Sequence, residues 1–285
     1  MTTEPTKKQI RRLRSHFAID KMPFCKSMWA AQMFDSLAQR ELLQALQMWT
    51  EVKGICLVTG PSGVGKSITV RRFVQELDQS RFRVIDFSYL PSTVAGFLRS
   101  LSRKLGLPMR LHSTDLFDAA QAHLAAHEKE HGAHPLIVLD DAEGLRVPVI
   151  DAVRRLTTYD LDSEDRFSVL ISGTDDLLAT LADPTLLPLR SRFSYTCALR
   201  PFNVEDTSNY ISFHLSRAGV DPKLFTDTAV KKLFQTSMGR PRNINQLAVQ
   251  ALIQAAVQGR DSIEGEFMAH LIANHPLYQN RGGDR

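Results

Sequence analysis

Residues 55–73 read ICLVTGPSGVGKSITVRRF, and this stretch decides the fold. Ile55, Cys56, Leu57, Val58 and Thr59 form a β-preferring run, and a helical pattern opens near Lys66. Between them Gly60, Pro61, Ser62, Gly63, Val64, Gly65, Lys66 and Ser67 fill the spacing G-x-x-x-x-G-K-[ST]. In that spacing backbone N–H groups wrap the phosphates of a nucleotide, the lysine reaches the distal phosphates and the hydroxyl ligates Mg²⁺. Glycine is needed because the backbone approaches an anion closely, often at positive φ. The helix that follows adds its unpaired N–H groups and the positive end of its dipole. A plain Gly-rich turn is the alternative, and a readable strand before the motif and helix after it argue against that.

The composition around this stretch is that of an ordinary folded protein. The 285 residues are 43% hydrophobic and 23% charged, enough for one large domain or two modest ones with a buried core. No apolar run approaches the roughly 20 residues that span a bilayer, and the opening MTTEPTKKQIRRLRSHF lacks the apolar stretch of a secretory signal. A cytoplasmic address without membrane contact is the expectation. Cys25, Cys56 and Cys197 show no C-x-x-C spacing and read as buried, reduced thiols. A formal net charge of +4 permits nucleic-acid binding, and the clustering of cations says more than the total.

Lys7, Lys8, Arg11, Arg12 and Arg14 face a single acid, Glu4, in the first 16 residues. As a helix this segment sets Lys7, Arg11 and Arg14 along one side, a candidate phosphate-contacting arm. A long helical pattern is expected from Ser27 to Trp49, with Met33, Phe34, Leu37, Leu42, Leu46 and Trp49 on its apolar side. After the cradle helix, FRVIDF (82–87) reads as a strand, and a helix over 93–105 carries Arg99, Arg103 and Lys104, with Arg110 shortly after. These four cations are a second DNA-binding candidate, against the alternative of a basic, solvated helix face. His123, His127 and His131 recur at i, i+4 steps on a helix over 114–131. No H-E-x-x-H motif or cysteine joins them, so a solvated helix face is expected rather than a metal site.

PLIVLD (135–140) is a continuous apolar strand that ends in Asp140 and Asp141, as a parallel strand buried on both faces would. At such a strand end Asp140 can hold Mg²⁺ through water and Asp141 can orient an attacking water. FSVLISG (167–173) is a further strand, with Ser172 and Thr174 as hydroxyls close to a γ-phosphate. Arg190 and Arg192 precede the last strand, where a guanidinium can enter a neighbouring subunit's site and stabilise transition-state charge. Beyond Pro201 the pattern is helical only. There Gly239-Arg240-Pro241-Arg242 marks a turn into a helix, which sets Arg242 facing back toward the nucleotide.

Taken together, GPSGVGKS, LIVLDD, SGTDDL, LRSRF and GRPRNIN resemble the AAA+ ATPases of the ExeA type, and especially the transposition-helper ATPases of the TniB, TnsC and MuB kind. The resemblance covers nearly the whole chain, and FAIDKMPF resembles the lead-in before ExeA-like cores. It implies an α/β P-loop core with a five-stranded parallel sheet between helices, followed by a small helical lid. The expected division is an N-terminal arm and helix over 1–50, the ATPase core over 51–200 and the lid over 201–285. The resemblance implies ATP and Mg²⁺ as ligands, Lys66 and Ser67 in Walker A, and Asp140 in Walker B. It further implies Ser172 or Thr174 as sensor 1, Arg192 as arginine finger with Arg190 in reserve, and Arg242 as sensor 2.

One departure stands out. The usual catalytic glutamate after the Walker B aspartate is here Asp141, a methylene shorter, with Glu143 two residues on. Either carboxylate is a candidate for activating water, and slow hydrolysis is expected. The leading functional expectation is an ATPase that assembles on double-stranded DNA as a homo-oligomer, ring or helical filament, and regulates or targets a transposase. An ExeA-type secretion ATPase is the alternative, which carries the expectation of a membrane segment and a cell-wall-binding region after the core. A helicase-loader-like protein is another. A small-molecule kinase shares the cradle but not the finger-like and sensor-like arginines.

Overall fold

The computed structural model describes residues 12–25, 33–87, 89–158 and 165–278. Lys7 and Arg11 lie outside the described residues. The chain forms two compact units, one of residues 38–200 and one that joins residues before 38 to residues 201–285.

The first unit is built on a parallel sheet of β1 (Ile55–Thr59), β2 (Phe82–Asp86), β3 (His134–Leu139), β4 (Ser168–Ser172) and β5 (Phe193–Ala198), in the order β2-β3-β4-β1-β5. Its helices are α1 (Leu37–Val52), α2 (Lys66–Glu76), α3 (Val94–Leu105), α4 (Ser113–His131), α5 (Val147–Thr157), α6 (Asp175–Leu181) and α7 (Leu187–Arg190). The period of two in the strands divides their side chains between two cores. Cys56, Val58, Leu136, Val138 and Leu170 pack with Leu42, Leu46 and Trp49 of α1 and with Val70 and Phe73 of α2. Ile55, Leu57, Ile137, Leu139, Val169 and Ile171 pack with residues of α3 to α6, among them Phe97, Leu124 and Val153. Every residue of β1, β3 and β4 is buried, as strands covered on both faces must be. β5 is an edge strand and alternates between half-buried and exposed.

The strand order matters for function. β3, β4 and β1 are consecutive neighbours, and in a parallel sheet their carboxyl ends share one edge. That edge is where open α/β sheets bind ligands.

The helical unit contains α8 (Val204–Arg217), α9 (Asp227–Ser237), α10 (Pro241–Gln258) and α11 (Gly265–Ala273). Asn203 caps α8 by a reciprocal capping box with Asp206, and Pro241 occupies the first turn of α10. Leu13, Ile19 and Phe24 are buried among Ile211, Leu215, Leu247 and Leu252 of these helices. Phe34 makes edge-on contacts with Phe202, Tyr210 and Phe213 at ring-centroid distances of 5.6, 5.3 and 5.6 Å.

Two expectations change here. Of the helix expected from Ser27 to Trp49, residues 27–32 lie outside the described residues; Met33 to Ser36 are not helical, Phe34 being engaged by the aromatic cluster of the helical unit, and α1 begins at Leu37. Residues 1–50 therefore do not stand as one segment: α1 packs on the sheet, and the described residues before it pack with the C-terminal helices. The histidine run is a solvated face only in part: His131 is exposed, but His127 is only 4% exposed, with the His123 and His131 rings tilted against it at centroid distances of 5.6 and 4.5 Å. Burial lowers the pKa of His123 and of His127, Arg83 acting in the same direction, which favours the neutral rings. Among the described residues no group of His, Cys, Asp or Glu has the arrangement to hold a metal by itself. Of the thiols, Cys56 is buried and Cys25 and Cys197 are half-buried, and none of the three is in a disulfide among the described residues. Among the described residues no helix is long and apolar enough to cross a membrane.

Candidate functional site

The cradle starts where β1 runs out. Gly60 sits at φ 146°, and a Cβ there would fall 2.4 Å from the Leu199 carbonyl oxygen, so no side chain fits between β1 and the end of β5. The loop closes with Gly65 at φ 115° directly before α2. No side chain caps α2 and its first turn holds no acid, which leaves the helix N-terminus free to favour an anion. Lys66 is 6% exposed, and its Nζ donates to the carbonyls of Gly60 at 2.7 Å and Pro61 at 3.2 Å. Burial pushes its pKa down, while Glu143, Asp140, Asp141 and Asp175 pull it back up, in that order of strength. The lysine therefore lies in the field of four carboxylates that come from β3, the turn after it and the start of α6.

Asp140 and Ser172 each bury an oxygen, Asp140 Oδ1 and Ser172 Oγ, without a hydrogen-bond partner among the described residues. Buried oxygens of this kind are exceptional in folded proteins, and at a nucleotide site they are what water or phosphate satisfies. With the Ser67 hydroxyl, Asp140 supplies hard oxygen donors of the kind Mg²⁺ takes, usually keeping several waters. The residues thus fit ATP with Mg²⁺: Gly60 to Ser67 would hold the phosphates, and Ser67 and Asp140 the cation.

Past Asp140 the chain turns sharply. Asp141 is exposed and adopts a left-handed conformation, φ 55° and ψ 42°, at the head of a single 3₁₀ turn over Ala142–Gly144. That turn carries Glu143 back toward β4, where its Oε2 accepts the backbone N–H of Thr174 at 3.3 Å. Thr174 is 9% exposed, and its hydroxyl donates to Asp176 at 3.4 Å.

The other candidates are placed as follows. Arg190 ends α7 and is exposed, and Arg192 is half-buried ahead of β5, with Leu186 and Leu189 fully buried as anchors. Neither belongs to the set of charges acting on Lys66. Arg242 is exposed on the first turn of α10, in the helical unit. On α3 the buried face is Phe97, Leu98, Leu101 and Leu105, which turns Arg99, Arg103 and Lys104 outward. Arg110 is exposed as well, and Lys104 lies 5.4 Å from the centre of the Phe87 ring. None of the four is paired with a carboxylate in the salt bridges of the described residues. Arg14 is exposed on a short helical turn whose Leu13 is buried.

Sequence reasoning missed Asp175, whose charge acts on Lys66, although the SGTDDL run contained it. It also missed Gly173, where a Cβ would meet Leu177 at 2.6 Å and the Glu143 carboxylate at 3.2 Å. No local pattern signals either role.

Residues 50–181 match the family model described as AAA domain. This is the fold of an AAA+ P-loop ATPase. The core is accordingly an ATPase domain, whose reaction converts ATP and water to ADP and phosphate. General secretion pathway protein A of Aeromonas hydrophila is 30% identical over 218 residues, 74% of this chain and 38% of that protein. The chain thus spans well under half the length of that relative. Cdc6p from Pyrobaculum aerophilum superposes with a TM-score of 0.59 at 19% identity, covering 85% of this chain and 69% of that one. The ORC1 protein of Aeropyrum pernix, solved in complex with DNA, gives 0.58 at 15% identity, covering 92% and 68%. At these identities the ATPase core is similar to both structures in fold.

Proposed function

We propose that this ATPase assembles on double-stranded DNA in its ATP-bound state, as a homo-oligomeric ring or helical filament, and in that form regulates or targets a transposase. The observation that carries the proposal is the outward group Arg99, Arg103, Lys104 and Arg110, four exposed cations that no carboxylate pairs with among the described residues. One such group is a weak ligand for phosphates. Repeated along stacked subunits it becomes a continuous track, so that ATP at the subunit boundary governs DNA affinity. The DNA complex of the similarly folded ORC1 protein supports a DNA-associated role. The choice of a transposase as partner rests on the resemblance to the TniB, TnsC and MuB kind. The ligands are ATP and Mg²⁺, and the place of action is the cytoplasm. Hydrolysis is slow, in keeping with a timer that limits the life of the assembly.

Within the site, Lys66 and the loop amides bind and orient the phosphates, and a carboxylate after β3 orients the water. Arg192 acts as the finger that a neighbouring subunit supplies, worth roughly 10³ to 10⁵ in rate in well-studied nucleotide hydrolases. Ser172 or Thr174 senses the nucleotide from the end of β4, and Arg242 is the residue for the sensor 2 role that the resemblance implies.

The test is fluorescence anisotropy on duplexes of several sequences, with a non-hydrolysable ATP analogue or ADP, over a salt series. The expected result is tight binding with the analogue only, little sequence preference, and a log–log salt slope of about 0.9 per phosphate neutralised. Arg103→Glu with Lys104→Glu should remove DNA binding and spare ATP binding. A second reading, an ATPase of a secretion system, is favoured by the 30% identity to General secretion pathway protein A. Absence of DNA binding in every nucleotide state at low salt overturns the first reading in favour of the second.

A further inference from the structure

We infer that Glu143, and not Asp141, is the carboxylate that orients the attacking water and takes its proton. The inference rests on the reading of this core as an ATPase and adds the identity of its base. Asp141 follows the Walker B aspartate directly, but its left-handed backbone and exposed side chain place it at the outer corner of the turn. A non-glycine residue in that conformation is uncommon and costs on the order of 1 kcal/mol, which aspartate tolerates better than most. The effect of the corner is to double the chain back, and Glu143 is the residue that returns toward β4.

Two observations converge on Glu143. Its carboxylate is half-buried and held at one oxygen by the Thr174 N–H. The approach depends on Gly173, since a Cβ there would stand 3.2 Å from that same oxygen. A glutamate fixed at Oε2 by a backbone donor keeps Oε1 for a second partner, the arrangement a water-orienting base needs. In the step this implies, the water oxygen attacks the γ-phosphorus, the bond to the β–γ bridging oxygen breaks, and ADP leaves with that electron pair. The water's proton passes to Glu143 and from there to solvent or the phosphate released. Asp141 contributes charge near the site and the shape of the turn.

The experiment compares Glu143→Gln, Asp141→Asn and Glu143→Asp with the wild-type chain. The readouts are affinity for a fluorescent ATP analogue, the ATP to ADP ratio retained after incubation with Mg-ATP and desalting, single-turnover hydrolysis, and melting temperature. Glu143→Gln, which still accepts from Thr174, should melt like wild type and bind the analogue within about threefold. It should retain ATP and hydrolyse at least about 100-fold more slowly, the low end of what a positioned base contributes. Asp141→Asn should retain ADP and hydrolyse within about threefold of wild type. Glu143→Asp should be slow as well, because a side chain one methylene shorter draws the carboxylate back from the water. Trapped ATP in Asp141→Asn together with turnover in Glu143→Gln overturns the assignment, as does an equal loss in both. Loss of analogue binding in Glu143→Gln also overturns it, since the residue would then hold the nucleotide rather than the water. A wild-type chain that neither binds nor hydrolyses ATP overturns the ATPase reading itself.

Discussion

Asp140 directly after β3 and Ser172 at the end of β4 lie one step beyond the Leu139–Ile171 pair, and each buries an oxygen that no group among the described residues satisfies. Leaving such an atom unpaired costs about 1–3 kcal/mol, which the sheet must carry for some other benefit. Ser172→Ala removes one of the two at almost no change in volume. The expected result is an unliganded protein that melts about 2–4 °C higher, with a smaller upward shift when Mg-ATP is added. Differential scanning fluorimetry with and without nucleotide measures both. A lower melting point without nucleotide would mean that the hydroxyl already has a partner.

Lys66→Ala should weaken ATP binding by at least about 100-fold, since a charge-assisted contact to two phosphates is lost at a buried position. In the unliganded protein the same lysine ties the carbonyls of Gly60 and Pro61 together. The variant should therefore also show faster amide exchange over residues 60–65. Calorimetry reports the first effect and hydrogen exchange the second.

Arg192→Ala should bind ATP normally and hydrolyse it poorly if the arginine serves a neighbour's site. Mixed with Lys66→Ala protein it should regain part of the activity, because one partner then supplies the finger and the other an intact cradle. Full activity of Arg192→Ala in dilute monomer would place the catalytic arginine elsewhere, with Arg190 next to be tested.

The helical unit should be sensitive to acid through His214. This ring is 4% exposed, packs at 4.5 Å from Tyr210 and 4.9 Å from Phe24, and its Nδ1 is buried without a partner. Burial first, and then the Arg217 charge, lower its pKa from 6.5 to about 4. The unfolded chain takes up the proton near pH 6.5 while the folded unit resists until about pH 4. Stability is thus full above pH 6.5, falls as pH drops through that window, and levels off below it. The loss is on the order of 3 kcal/mol at the lower end. His214→Phe should flatten the dependence between pH 6.5 and 4 in urea titrations. A slope unchanged by the substitution would assign the acid sensitivity to other groups.

The cradle and the strand ending in Asp140 were legible in the sequence because each is contiguous: eight residues of fixed spacing, and one apolar run with a carboxylate at its end. The five-stranded parallel sheet was legible at the level of class, since it followed from the resemblance and from fully apolar runs. What was not legible is what depends on strand order. Glu143 meets Thr174, 31 residues on, only because β3 and β4 are neighbours, and the role of Gly173 follows from that meeting. His127 carries the periodicity of a surface position, yet the helix presses it into the protein. Phe34 fits a helical stripe on paper but finds a better aromatic environment with Phe202 and Tyr210, and the stripe breaks before Leu37. Local spacing has no access to such distant competitors.

The contact of Phe34 with Phe202, Tyr210 and Phe213 also sets a schedule on the ribosome. Its partners are translated some 170 residues after it, at the far side of a unit that is complete in itself. Domains generally fold as they emerge, N-terminal first, at about 5–20 residues per second. The sheet can therefore close around its nucleotide loop while Leu13, Ile19, Phe24 and Phe34 still wait, for on the order of ten seconds, with their apolar surfaces uncovered. During that interval the nascent chain carries a finished core together with four uncovered apolar side chains, Leu13, Ile19, Phe24 and Phe34, whose cover has yet to be translated.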